Sequence, residues 1–226
     1  MKNDEAAIEE NEILAEDFSS WLMKTRDMLM NNSGAEVPCG SCRACCTSSH
    51  FIHIKPEEKQ TLKVIDRRLL FDAPGLPKGN VLLGYSKNGH CPMFADNKCS
   101  IYTSRPFTCK NYDCRIYVAA GIDVDYDPKG LITKQIKLWK FNYITKDSRE
   151  LHLAVQQAAK FIKENPELFP NETIPQRAGE LAILAIKVYE VFFDADIRCK
   201  IEPKSIPNKE IAKRIVELSK RFEKQN

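Results

Sequence analysis

The clustering of cysteines constrains this chain more than any other feature of its sequence. Eight of its nine cysteines lie within about a third of its length, and four of them form the run CGSCRACC. Thiolates are soft ligands that select zinc, copper(I) or iron–sulfur centres, and two-residue gaps let successive sulfurs converge on one centre. The sequence therefore predicts a metal site, whose candidate ligands are Cys39, Cys42, Cys45, Cys46, Cys91, Cys99, Cys109 and Cys114.

Clustered cysteines also form disulfide frameworks in small secreted domains. The amino terminus of this chain, MKNDEAAIEENEILAEDF, is acidic and lacks the basic and then apolar pattern of a secretion signal. We therefore expect a cytoplasmic protein whose thiols stay reduced and free for metals. The most apolar stretch, residues 181–193, is too short to span a bilayer and contains Lys187 and Glu190, so no membrane partner is predicted.

The distribution of charge gives little indication of a nucleic-acid partner. The net charge is +3, but residues 1–36 hold three basic and nine acidic side chains, which leaves +9 for the remainder. A diffuse excess of lysine is typical of solvated helix faces. Nucleic-acid binding is therefore unsupported by the sequence.

Hydrophobic patterning predicts a mainly α protein of the α+β class, in which an irregular cysteine-rich core with a short strand or hairpin packs against five to six helices. We divide the chain into an amino-terminal amphipathic helix (1–36), a cysteine-cluster domain (37–118) and a helical scaffold (119–226), together one globular unit. The predicted helices cover residues 5–30, 56–70, 131–144, 148–164, 175–193 and 207–223.

Short-range signals describe the cysteine region in more detail. Alternating residues predict a strand over 50–54, and residues 81–85 with the Asn88-Gly89 turn predict a hairpin that leads to the second cysteine group. Asp96-Asn97 predicts a tight turn between Cys91 and Cys99, and a short helix is expected to carry Cys109.

The spacing of the cysteines leaves the metal open. Cys39, Cys42 and Cys45 have the spacing of the first three ligands in a bacterial ferredoxin, which favours an iron–sulfur cluster of the [4Fe–4S] type. Ser49 occupies the position of the fourth ferredoxin cysteine, so a fourth ligand has to come from the second group. Zinc ribbons use the same two-residue gaps, and zinc is therefore the alternative.

The adjacent pair Cys45 and Cys46 raises a separate question. We expect their side chains to diverge toward different tasks, because binding one tetrahedral ion with both would strain the backbone. Two four-sulfur sites, or one site with additional thiols, are both compatible with the sequence. A redox sensor built on this pair, without bound metal, is a further hypothesis.

Other residues near the cysteines receive weaker assignments. Arg105 could donate hydrogen bonds to a bound cluster or to a thiolate, or it could form a surface ion pair. The remaining cysteine, Cys199, is expected to be an ordinary thiol. The histidines His50, His53 and His90 are expected to be structural, because eight thiols need no further ligand.

Two stretches of the sequence, CGSCRACC and CPMFADNKCSIYTSRPFTCKNYDC, together resemble the cysteine-cluster family often called YkgJ-like, with its CxxCxxCC pattern. The resemblance covers about residues 37–118 and implies a domain that chelates zinc or iron. Flagellin lysine N-methylases are similar in their cysteine core, so the resemblance also implies a cluster-dependent, protein-modifying methyl transfer as one activity.

The leading hypothesis is thus an intracellular metal-binding protein with an iron–sulfur cluster, either a redox protein or a protein-modifying enzyme. Its partner would be a redox partner or a protein substrate. The alternative is a structural zinc module whose helices bind another protein and which unfolds when the zinc is removed.

Overall fold

The structure is a computed structural model that describes residues 12–169, 174–193 and 207–224. It confirms the predicted class, because helices dominate and the strands are few and short. The helices are α1 (Phe18–Asn31), α2 (Ala44–Thr47), α3 (Lys59–Val64), α4 (Phe107–Lys110), α5 (Arg115–Ala120), α6 (Leu131–Leu138), α7 (Lys146–Glu164), α8 (Ala178–Val188), α9 (Glu190–Phe193) and α10 (Asn208–Lys224). The strands are β1 (Ile13–Asp17), β2 (Ile52–Ile54), β3 (Leu70–Asp72), β4 (Val81–Leu83), β5 (Phe94–Ala95), β6 (Lys98–Cys99) and β7 (Trp139–Asn142).

The main hydrophobic core lies among the helices. The long helix α7 packs against α1, α5, α8 and α9, and α8 in turn packs against α10. Small residues allow this close approach, since Ala158, Ala182 and Ala185 are fully buried beside Val155 and Ile186. The predicted helices over 148–164, 175–193 and 207–223 are confirmed as α7, the pair α8 and α9, and α10. None of the helices in the described part of the chain has the length and apolar content needed to cross a bilayer.

The amino-terminal prediction is partly wrong. Residues 1–11 lie outside the described residues, and Ile13–Asp17 is a strand that pairs in parallel with β7, with a bulge at Ala15–Glu16. The helix begins only at Phe18, where the Asp17 carboxylate caps it by accepting from the Ser20 N–H. The helix predicted over 131–144 likewise ends at Leu138 and continues as β7. Both errors have one cause, because the two strands are defined by pairing with each other across more than a hundred residues.

The cysteine region contains a three-stranded antiparallel sheet in the order β2, β4, β3. The strand expected at 50–54 is confirmed as β2, but β4 pairs with β2 and β3 and does not form the predicted hairpin toward Cys91. The helix predicted over 56–70 is also too long, since α3 ends at Val64, a 3₁₀ turn covers Arg67–Leu69, and β3 follows. A small set of buried apolar residues packs on this sheet: Ile52, Ile54, Ile65, Val81 and Leu83.

The short hairpin of β5 and β6 matches the sequence prediction. Asp96 and Asn97 form its two-residue turn, and both have positive φ, +47° and +57°. Asparagine and aspartate tolerate this left-handed conformation better than other non-glycine residues, which explains the turn. The division into residues 1–36, 37–118 and 119–226 stays a prediction.

Candidate metal centre

The first cysteine group, residues 39–46, forms a tight turn before β2, which we call the knuckle. The backbone reverses at Gly40, whose φ of +52° lies in the left-handed region, and the Cys42 N–H donates to the Cys39 carbonyl at 2.8 Å. The single turn of α2 follows and carries Cys45 and Cys46. Four thiols are thus presented by eight consecutive residues.

Arg43 ties this knuckle to the second cysteine group. Its guanidinium donates to the carbonyls of Gly40 and Cys42 at 2.8 and 2.7 Å, and its Nε donates to the Asn97 carbonyl at 2.9 Å. Asn97 lies in the turn that leads into Cys99. Arg43 therefore fixes the distance between the two cysteine groups and brings positive charge among the thiols.

The second cysteine group consists of Cys91, Cys99 and Cys109. Its members lie on separate elements near the buried residues of the three-stranded sheet. The Cys91 N–H donates to the Cys46 carbonyl at 2.8 Å, so the chain after β4 is attached directly to the knuckle. Cys99 lies in β6 opposite Phe94, and Cys109 lies in α4. Both Cys91 and Cys109 pack against the buried residues of the three-stranded sheet.

Cys114 is separate from these three, because it belongs to the main helical core. It is buried, and its Sγ accepts a hydrogen bond from the Trp139 indole Nε1 at 3.2 Å. Burial raises the pKa of the Cys114 thiol to about 12, and the hydrogen bond from Trp139 opposes that rise. The charges of Cys39 and Cys42 raise the same pKa further, which places Cys114 within electrostatic range of the knuckle.

Electrostatic effects link the thiols into one connected set, since Cys45 acts on Cys39, Cys46, Cys91 and Cys109. We call Cys39, Cys42, Cys45 and Cys114 the knuckle group, and Cys46, Cys91, Cys99 and Cys109 the hairpin group. Desolvation, followed by the charges of Cys45 and Cys42, raises the pKa of Cys39 to about 11. Burial, followed by the charges of Cys45 and Cys91, raises the pKa of Cys109 to about 12. Cys45 therefore raises the pKa of a thiol in each of the two groups.

The adjacent thiols Cys45 and Cys46 affect each other electrostatically. A hydrogen bond from the Cys46 thiol lowers the pKa of Cys45 to about 7, and the same contact raises the pKa of Cys46. Adjacent side chains on a helical turn such as α2 are about 100° apart. The expectation that these two side chains diverge toward different tasks stays a prediction.

The chemistry of this donor set fits a soft metal. All eight are free thiols, and two of them already accept N–H donors, Cys114 from Trp139 and Cys42 from the Ala44 backbone at 3.5 Å. Within residues 12–169, 174–193 and 207–224, no three histidine, cysteine or carboxylate side chains converge closely enough to hold one ion. Metal binding therefore requires rotation of these side chains and release of their protons.

A buried ion pair beside Cys114 was missed by the sequence analysis. Asp113 and Arg115 are almost fully buried, with Arg115 Nη2 2.8 Å from Asp113 Oδ2. Asp113 also accepts from the Trp21 indole at 3.0 Å, and Arg115 donates to the carbonyls of Ala15 and Glu36 at 2.8 Å each. This pair joins α1, β1 and the approach to the knuckle around Cys114. The acid–cysteine–base order of residues 113–115 is the only local signal that could have indicated it.

The weaker sequence assignments have different outcomes. Arg105 donates to the Tyr102 carbonyl at 2.9 Å and lies over the Tyr102 ring at 4.0 Å. Burial raises the pKa of Cys109 and the positive charge of Arg105 opposes that rise, so Arg105 lies near this thiol and its role toward a cluster stays a prediction. His53 contacts Asn80 at 2.8 Å. Cys199 lies outside the described residues.

Residues 38–135 match the CxxCxxCC family model, whose description is "putative zinc- or iron-chelating domain". This part of the chain is therefore similar to that domain, in agreement with the YkgJ-like resemblance. Comparison with curated proteins and with solved structures gave no significant match. The similarity to flagellin lysine N-methylases stays a prediction.

Proposed function

We propose that this protein is an iron–sulfur protein of the CxxCxxCC family, in which the knuckle group and the hairpin group each provide four thiolates. The observation that carries the proposal is the direct attachment of the second cysteine group to the knuckle, where the Cys91 N–H donates to the Cys46 carbonyl at 2.8 Å and Arg43 donates to the carbonyls of both Cys42 and Asn97. Four thiolates are the ligand number of a [4Fe–4S] cluster. A bound cluster would supply transfer of single electrons.

The surroundings of the thiols support the binding of negatively charged thiolates. Arg43 brings a guanidinium beside the knuckle, and Trp139 and the Ala44 backbone provide N–H donors to sulfur. Hydrogen bonds to cluster sulfurs and local charge are the terms by which a protein sets a reduction potential. Cys39 and Cys45 are exposed, so a protein substrate or a redox partner in the cytoplasm could approach the knuckle group directly.

Anaerobic purification and elemental analysis test this proposal. We expect iron and acid-labile sulfide in equal amounts, about four of each per cluster, with a broad visible absorption band that a reductant bleaches. Cys114→Ser and Cys99→Ser should each lower iron and sulfide, since each removes one ligand from a different group. Cys199→Ser is the matched control and should leave the metal content unchanged. A colourless protein with stoichiometric zinc and no sulfide contradicts the proposal.

A structural zinc module is the second candidate, and one observation favours it. In the described part of the chain, the core cluster that supports the sheet of the cysteine region contains only five buried apolar residues. Regions with such small cores commonly depend on a metal or on disulfides for stability. In that case the same purification yields zinc, and the helices would serve to bind a partner protein.

A further inference from the structure

Two of the buried polar atoms without a hydrogen-bond partner in the described part of the chain are an imidazole nitrogen and a carboxylate oxygen. They are His50 Nε2 and Asp127 Oδ1, and they belong to segments more than seventy residues apart. A buried polar atom without a partner destabilises the fold, so a pair of them in a native structure requires a physical explanation. From these atoms we propose that His50 and Asp127 bind a divalent cation, Mn²⁺ or a similar ion that prefers nitrogen and oxygen ligands, at a site separate from the eight thiols.

The two side chains are brought together by the loop over residues 123–130, which covers the exit of the knuckle. The Tyr126 ring packs edge-to-face on the His50 ring, with centroids 5.7 Å apart. Lys129 donates to the Asn88 carbonyl, and a Cβ added to Gly89 would overlap Lys129. The loop therefore rests on the turn around Gly89 on one side and on His50 on the other.

One oxygen of the Asp127 carboxylate is fixed and the other is available. Asp127 Oδ2 accepts from the Thr133 backbone N–H at 2.7 Å and from the Thr133 hydroxyl at 2.9 Å, which anchors the carboxylate to the first turn of α6. Oδ1 makes no such bond. A carboxylate that is fixed through one oxygen can coordinate a metal with the other oxygen, because hydrogen bonds already hold it in one orientation.

The local charges also favour a cation. Desolvation lowers the pKa of His50, whereas the charges of Asp127 and Asp125 oppose that effect, so both carboxylates lie within electrostatic range of the imidazole. Lys129 supplies one positive charge nearby, through the ammonium that donates to Asn88. A cation at this position would thus face more negative than positive groups.

The donor atoms define the class of the ion. Imidazole nitrogen and carboxylate oxygen suit manganese, ferrous iron and zinc, whereas thiols select softer centres. Two protein ligands leave several positions for water, which is compatible with the finding that no three such side chains converge within the described residues. The same two orphaned atoms could otherwise be bridged by a water molecule, and the experiment has to separate these two cases.

Titration of the anaerobically purified holoprotein with Mn²⁺ provides that test, because Mn²⁺ does not compete well for thiolates. The electron paramagnetic resonance signal of free aqueous Mn²⁺ should fall until one equivalent per chain is bound. Pulsed measurements on the bound ion should then show coupling to one histidine ¹⁴N nucleus. His50→Ala should abolish that coupling, and His50→Ala and Asp127→Asn should each weaken Mn²⁺ affinity by about tenfold or more.

Two variants control for nonspecific loss of histidine or carboxylate. His53→Ala removes a histidine from the adjacent strand, and Asp72→Asn removes an exposed carboxylate from β3, so both should bind Mn²⁺ like the unmodified protein. The content of thiol-bound metal verifies that each variant is folded. The proposal is overturned if the unmodified protein does not bind Mn²⁺, if no ¹⁴N coupling appears, or if both site variants bind normally, in which case water alone bridges the two atoms.

Discussion

The helical region and the cysteine region of this protein are stabilised in different ways. In the described part of the chain, 27 buried residues form one continuous core among the helices, whereas the three-stranded sheet buries only five. Cys114 belongs to the large core, and Cys91 and Cys109 pack against the small one. The two proposed thiol groups therefore lie on different cores and meet at Cys45 and Cys46.

The difference in core size indicates what each region needs in order to fold. Burial of apolar surface contributes about 25 cal/mol per Å², so the large core can offset the conformational entropy of its helices. Five buried residues cannot do the same for the loops that hold the second cysteine group. We infer that the helical region supplies a stable platform and that the metal supplies much of the stability of the cysteine region.

Removal of the metal is the strongest test of this comparison. Without metal, backbone amides of β2 and β4 should lose protection from hydrogen exchange, while those of α7 stay protected. The local loss of stability should reach up to about 10 kcal/mol, the scale of structural metal sites. Hydrogen exchange, measured by mass spectrometry before and after anaerobic chelation, reports the protection of backbone amides in both regions in one experiment.

Two results of that measurement contradict the comparison. Unchanged protection of β2 and β4 means that the small core is sufficient without metal. Equal loss of protection in α7 means that the helical region also depends on the site. Re-addition of metal should restore the exchange pattern and serves as the control for irreversible oxidation of the thiols.

Breaking the buried ion pair between the regions should have the next largest effect. Asp113→Leu leaves Arg115 buried without its carboxylate, so the free energy of unfolding should fall by about 3–5 kcal/mol. Denaturant unfolding measures this loss. The double variant Asp113→Leu/Arg115→Met should recover part of it, because both charges are then removed.

A matched surface pair gives the control for this variant. Lys140 lies 3.5 Å from Glu12, and both side chains are exposed. Lys140→Ala should change the free energy of unfolding by less than about 1 kcal/mol. Equal losses for the buried and the exposed pair would show that the contact around Cys114 does not join the two regions.

Local patterns in the sequence were sufficient to predict the long helices and the one short hairpin. The period of α7 and the αL-tolerant residues of the Asp96-Asn97 turn are decided by neighbouring residues alone. The β1–β7 pair and the β2–β4 pairing depend on partners far along the chain, and local pattern cannot identify them. These were the elements for which the predictions failed.

The candidate site shows the same division. The eight thiols could be identified from their spacing, because cysteine is rare and its chemistry is specific. Their grouping could not, since Cys114 reaches the knuckle only through the packing of Trp139 and the Asp113–Arg115 pair. Arg43 was missed because its role depends on the carbonyl of Asn97, in a turn that approaches the knuckle only in the fold.

Two aspartate caps, one in each region, provide a smaller test of the comparison. Asp17 is buried and accepts from the Ile144 N–H and the Ser148 hydroxyl at 2.9 and 2.8 Å, besides capping α1. Asp17→Ala should lower the free energy of unfolding by about 2–3 kcal/mol, because buried donors lose a charged acceptor. The exposed Asp66 caps only the 3₁₀ turn before β3, so Asp66→Ala should lower the free energy of unfolding much less than Asp17→Ala does. Similar costs for the two variants, measured by denaturant unfolding, would contradict the view that the helical region holds the stability.

The smallest expected effect is a dependence of stability on pH that arises from a histidine of the helical region. His152 is buried in α7, stacks on Phe18 with centroids 4.2 Å apart, and contacts the Tyr143 hydroxyl at 2.6 Å. Burial lowers the pKa of His152 below its ordinary value of 6.5. The unfolded chain therefore takes up the proton first, so the contribution of His152 is complete above pH 6.5 and is lost as the pH falls below that value. His152→Phe should reduce the slope of unfolding free energy against pH between 7 and 5, and an unchanged slope would show that the acid sensitivity arises from other groups, such as His50, whose pKa is also lowered by burial.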